Sequence, residues 1–141
     1  MTRRDVEELI RRQREAIERH DPVATAIEHA ADGIFDSATA GGIVRGRAAI
    51  EQVYRTWFTA FPDMTLTTEE LLIDGDRAVQ IATVAGTDTG GFMGMSPSGR
   101  PFRIPVVLVC TVREGVIVHQ RNITDFTGLL VQIGVLKAKP A

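Results

Sequence analysis

A chain of 141 residues with 44% hydrophobic content suits one folded unit with one core and leaves no room for a second. Sixteen basic and eighteen acidic residues give a formal net charge of -2, which argues against the clustered positive surface of a nucleic-acid binder. The longest apolar runs, such as Ile104 to Cys110, fall far short of the ~20 residues needed to cross a bilayer.

Thr2, Arg3, Arg4 and Asp5 lead into an amphipathic stretch with no apolar signal segment, so a cytoplasmic protein is expected. Val6, Leu9, Ile10, Gln13, Ala16 and Ile17 recur at helical spacing, with Arg3, Glu7, Arg11, Arg14 and Glu18 on the other face. That pattern predicts an amphipathic helix over residues 2–20. Asp21 before Pro22 reads as an N-cap with proline in the first turn, opening a short helix over 23–31 that Gly33 ends. Extended segments over 34–39 and 42–44 follow. Arg45, Gly46 and Arg47 then lead into a helix with the bulky stripe Ile50, Val53, Tyr54, Trp57, Phe58 and Phe61, which Pro62 stops.

From Met64 the period changes to alternation. Strands are predicted over 64–73 and 77–87, joined at Asp74, Gly75 and Asp76, and over 102–112 and 116–123, joined at Arg113, Glu114 and Gly115. Thr124 or Asp125 caps a last helix through Gln132, closed by Gly134, and the tail Lys137 to Ala141 is expected to fray. The lone Cys110, inside the apolar run Pro105 to Val112, reads as a buried, inert thiol. Helices followed by a long antiparallel sheet define an α+β arrangement in which the helices cover one sheet face. A strongly bent sheet would close this into a cone, apolar inside with a few inward polar groups, as small-molecule sites are built. The alternative is a fully packed core.

The stretch Asp74 to Val79, then Gly86 to Gly90 and Phe92 to Arg100, closely resembles the central signature of SnoaL-like proteins. Arg113 to Ile117 resembles the family hairpin and Asp125 to Gly134 its closing helix motif; with the Arg47 to Phe61 helix the resemblance covers nearly the whole chain. It implies the cone-shaped nuclear transport factor 2-like fold shared with ketosteroid isomerase and limonene epoxide hydrolase. It also implies polyketide ring closure by an intramolecular aldol reaction without metal or organic cofactor. Association of subunits through the open sheet face, as a dimer or tetramer, is implied too, with Val118, His119 and Arg121 meeting a second copy.

In the cyclases a last-strand aspartate acts as general acid/base, three residues before the aspartate that opens the closing motif, and a histidine on the preceding long strand assists. Asn122 and Leu108 stand at those places here. An amide takes up no proton at neutral pH and leucine neither donates nor accepts one, so the cyclase mechanism does not carry over intact. The epoxide-hydrolase variant resembles an aspartate at the same last-strand place, with an arginine and an aspartate on the preceding strand. Val106 to Cys110 offers neither, and Arg121 alone remains.

Alternation puts Gln120 and Asn122 on one face of the last strand and His119, Arg121 and Ile123 on the other, and the family match turns the Asn122 face into the cone. Gln120 and Asn122 are candidates to hydrogen-bond a ligand carbonyl or enolate oxygen, or simply to satisfy one another. Asp125 is the nearby carboxylate that could act as a base, and it also fits a helix N-cap. Tyr54 and Trp57 offer a hydroxyl and a flat wall to a ligand, or plain core packing. Leu108 and Phe92 complete the candidate ligand surface, and the Thr87 to Arg100 loop reads as a lid rather than a phosphate cradle. His119 is assigned to the surface or a subunit interface, and His20 and His29 to helix ends. Asp36 and Arg103 are weaker candidates, and no His, Asp or Glu pair has metal-ligand spacing.

The expectation is a cofactor-independent enzyme of secondary metabolism or small-molecule breakdown. Its substrate would be a polycyclic or polyketide-like carbonyl compound, changed by cyclisation, isomerisation or hydration. A non-catalytic binder of small apolar ligands or accessory to a partner enzyme, an epoxide-hydrolase-like enzyme, and a structural dimer module are the alternatives.

Overall fold

A computed structural model describes residues 1–137; the predicted fraying of the tail falls on residues outside this range but for Lys137. Helix α1 (Arg3–Glu18) starts with a reciprocal cap, in which the Thr2 hydroxyl accepts from the Asp5 amide and the Asp5 carboxylate accepts from the Thr2 amide. Its apolar stripe is buried as expected, and Gln13 is buried with it. Asp21 caps α2 (Pro22–Ala26), its carboxylate accepting from the Ala24 amide.

This second helix is shorter than predicted. Strand β1 (His29–Ser37) begins where the helical pattern was expected to run on, and Gly33 lies inside it. The cause is tertiary. The Glu28 carbonyl accepts from the Ile117 amide at 2.8 Å, and Phe35 pairs with Gln120, so distant backbone partners override the local helical preference. A Cβ on Gly33 would lie 3.1 Å from the Ala30 carbonyl oxygen and 3.3 Å from that of Ile117, within an irregular part of the ladder.

After a short 3-10 turn at Ala38–Ala40 come β2 (Gly42–Arg45), α3 (Arg47–Ala60), β3 (Thr65–Asp74), β4 (Arg77–Thr87), β5 (Pro101–Arg113), β6 (Val116–Thr124) and α4 (Phe126–Gln132). Both predicted hairpins are present. The six strands form one sheet in the order β2-β1-β6-β5-β4-β3. The sheet is mixed rather than wholly antiparallel, because β1 runs parallel to β6.

Register irregularities in β1, in β3 between Thr68 and Glu70, and between Thr111 and Val112 bend the strands around the helices. The inward face carries Phe102, Ile104, Val106, Leu108 and Cys110 from β5 and Gln120 from β6, all buried. Phe102 and Ile104 pack with the stripe of α3, chiefly Ile50, Tyr54 and Phe58, and with Leu129 of α4, whereas Val106 and Leu108 cluster with Ala82 and Cys110 joins Val6, Leu9 and Ile10 of α1. Arg47 ties α3 to β1 by donating from Nε to the His29 carbonyl at 2.9 Å. The result is the expected α+β cone, helices packed on a bent sheet. Among the described residues no helix is long and apolar enough to cross a membrane.

Candidate functional site

Between α3 and the inward face of β5 and β6 lies a cavity of about 70 Å³ that opens to the surface through a mouth. Its wall is almost wholly apolar. The sequence-predicted ligand residues Tyr54, Trp57, Phe92, Leu108, Gln120 and Asn122 all line it. Strand register brings them together, because Leu108 lies opposite Asn122 and Cys110 opposite Gln120, so all four project inward. Tyr54 and Trp57 come from successive turns of α3 and meet edge to face, their ring centroids 5.7 Å apart.

Asp125 is not brought to the cavity. It is exposed and accepts from the Gly128 amide at 2.9 Å as the N-cap of α4. His119, Asp36 and Arg103 also lie off the lining. The Arg103 backbone is instead clasped by the Gln132 amide, which accepts from its N–H at 2.7 Å and donates to its carbonyl at 3.1 Å.

The loop between β4 and β5 covers the cone with Phe92, which is buried and packs on Phe61 at 5.2 Å. It is firmly tied. The buried Asp88 carboxylate accepts from the Gly91 amide, the Ser98 amide and the Ser98 hydroxyl, and the Gly90 amide donates to the Ala60 carbonyl. A Cβ at Gly90 would run into the Thr59 carbonyl, so this crossing requires glycine.

Behind the polar end of the cavity the Gln120–Asn122 pairing continues into a hydrogen-bonded chain whose links through Gln13 and Tyr54 to His29 sequence reasoning missed. Asn122 Oδ1 accepts from Gln120 Nε2 at 2.9 Å. Gln120 Oε1 accepts from Gln13 Nε2 at 2.8 Å and from the Cys110 thiol at 3.5 Å. Gln13 Nε2 also approaches the Tyr54 hydroxyl at 3.4 Å, and that hydroxyl is 3.0 Å from His29 Nε2. His29 is therefore no helix-end residue. It opens β1, fully buried, and its Nδ1 has no partner, as is true of Gln13 Oε1.

The one available sequence signal was Gln13, a polar residue inside an apolar helical stripe; nothing around His29 announced its burial. Burial, with a smaller contribution from the Arg47 guanidinium, pulls the His29 pKa down to about 4, so the ring is neutral at pH 7. Burial pushes the Tyr54 phenol well above its ordinary range and the Cys110 thiol up to about 12, so both keep their protons.

Tyr54 is the one titratable side chain among the lining residues, and there is no carboxylate. The wall can thus offer neutral hydrogen bonds and apolar contact, and it supplies no charged acid or base. Among the described residues no group of three or more His, Cys, Asp or Glu is placed to hold a metal ion.

Residues 7–133 match the SnoaL-like polyketide cyclase family. Among solved structures, the chain is similar to IdmH of Streptomyces antibioticus, described as a candidate polyketide cyclase, at 30% identity over 91% of this chain and 97% of that one, with a TM-score of 0.77. It is also similar to AclR of Streptomyces galilaeus, described as a candidate hydroxylase, at 25% identity over 95% and 83% of the two chains and a TM-score of 0.81. A protein of ketosteroid isomerase-like fold from Catenulispora acidiphila shares the architecture at 20% identity, over 94% and 98% of the chains, with a TM-score of 0.77. No curated protein matches the chain.

Proposed function

The chain belongs to the SnoaL-like polyketide cyclase family, and on that premise we propose that its 141 residues act as one unit that takes up a flat, apolar, polyketide-like carbonyl compound. Within the cone the unit promotes ring closure or isomerisation without a cofactor. Asn122 is the observation that carries this reading. Its Oδ1 is occupied by Gln120, and among the described residues its Nδ2 has no protein partner, which leaves two N–H donors for a ligand oxygen in an apolar cavity.

Donors fixed in advance in an apolar site stabilise a developing enolate oxygen by roughly 3 kcal/mol each. The proton on a carbon between two carbonyls is acidic enough to exchange with water through the mouth, so the protein need only fold the substrate and hold its oxyanion. Gln120 orients Asn122; Tyr54, Trp57, Phe92 and Leu108 shape the apolar wall. Asp125 serves as the α4 cap.

A second reading is favoured by one observation. With Tyr54 as the only titratable lining group, the site suits a non-catalytic carrier of the same kind of ligand. The missing carboxylate counts against water activation on an epoxide. We place the protein in the cytoplasm, in secondary metabolism, as a homo-oligomer joined through the open sheet face around Val118, His119 and Arg121.

Incubation with keto esters, cyclic ketones and epoxides, followed by chromatography with mass detection, tests this proposal. A product of unchanged mass that Asn122→Leu fails to form supports ring closure or isomerisation. Ligand-dependent thermal stabilisation without product supports the carrier, and an added water points to epoxide opening.

A further inference from the structure

Gln13 lies on α1, outside the cavity lining, yet it donates a hydrogen bond to Gln120, which is part of that lining. A chain of amides has a direction: each oxygen accepts and each nitrogen donates, so reversing one member reverses the next. Two donors converge on Gln120 Oε1, namely Gln13 Nε2 at 2.8 Å and the Cys110 thiol at 3.5 Å. They leave Gln120 Nε2 to donate to Asn122 Oδ1 at 2.9 Å, and the Asn122 NH2 group is turned outward.

Gln13 is held in turn by its approach to the Tyr54 hydroxyl at 3.4 Å, and it leaves Oε1 without a partner. In the reversed orientation an NH2 group with two unpaired hydrogens would occupy that place, which costs more than one unpaired carbonyl. Gln13, Gln120 and Cys110 are each 0% exposed and Tyr54 2%, so bulk water has no access to reverse the chain.

We infer that Gln13 is a positioning residue that fixes the Asn122 amide with its NH2 group toward the cavity, and so makes the site selective for ligands that accept a hydrogen bond. This rests on the reading of the cavity as a carbonyl site. A protein without the Gln13 donor would let Gln120 and Asn122 turn, presenting donor and acceptor alike.

The test is a matched pair of planar probes, 9-fluorenone and fluorene, which differ only in the carbonyl. Binding is followed by the fluorescence of Trp57, the single tryptophan and part of the cavity wall. Wild type is expected to bind fluorenone about tenfold more tightly than fluorene, the worth of one good hydrogen bond. Gln13→Met, with similar length and no donor, is expected to cut that ratio to about twofold with fluorene affinity unchanged.

A ratio that stays near tenfold in Gln13→Met overturns the inference while leaving the carbonyl site standing. A wild type with no preference overturns the carbonyl reading and the inference with it. Should Gln13→Met fail to fold, side-chain amide NMR on wild type decides. The Asn122 NH2 protons must lie downfield in the fluorenone complex relative to the fluorene complex, as hydrogen-bond donation requires, and equal positions in the two complexes overturn the inference.

Discussion

His29 gives the fold a specific acid sensitivity. Its pKa falls from the ordinary 6.5 to about 4, chiefly through burial and secondly through Arg47, so the folded state resists a proton that the unfolded chain accepts. The sign follows from a depressed folded value. At pH 7 both states are neutral and the site is silent; as pH falls below 6.5 only the unfolded state gains the proton and stability drops, until the loss is complete near pH 4. At 1.36 kcal/mol per pH unit, the loss between pH 7 and pH 5 is about 2 kcal/mol. The assay is urea unfolding at both pH values for wild type and His29→Gln, which keeps a hydrogen-bonding group beside Tyr54 but does not titrate. Residues common to both proteins cancel in the difference. The variant is expected to lose about 2 kcal/mol less than wild type between the two pH values. Equal losses would refute the buried, neutral assignment of His29.

Asp125→Ala is expected to lower stability by about 1 kcal/mol, as removal of an N-cap does, and to leave ligand binding and any turnover intact; abolished turnover at full stability would make Asp125 the base. Gly90→Ala forces the loop away from the Thr59 carbonyl and draws Phe92 out of the cone, so a loss of about 2–4 kcal/mol is expected by thermal melting, together with weaker ligand binding. A melting temperature equal to wild type would show that the loop is not pinned as described.

Local signals carried most of the architecture. The stripes of α1 and α3, the Asp21 and Asp125 caps and the two turns at 74–76 and 113–115 are short-range features, and each produced the expected element. The end of α2 was not legible, because His29, Ala30 and Ala31 carry no stop signal and the parallel pairing of β1 with β6 joins residues far apart in the chain. The cavity wall was legible where a regular strand alternates, as at Gln120 and Asn122, and where a helical stripe repeats, as at Tyr54 and Trp57. The chain behind it was not. Gln13 and Gln120 are 107 residues apart in sequence and His29 and Tyr54 are 25 apart, so only the closed fold brings them together. Asp125 illustrates a carboxylate that sequence fits to two roles, and its place at the head of α4 realises the cap.

The central claim is that neutral donors on an apolar wall, led by Asn122, hold a ligand carbonyl. Its most direct test is the dissociation constant of 9-fluorenone for wild type and Asn122→Leu, measured from pH 6 to pH 9. With His29 near 4, Cys110 near 12 and the Tyr54 phenol pushed up by burial, none of these three groups of the chain behind Asn122 titrates in that window. Wild-type affinity should therefore be flat across it and about tenfold tighter than that of Asn122→Leu. Equal affinities in the two proteins, or a wild-type affinity that changes with pH, would contradict the account.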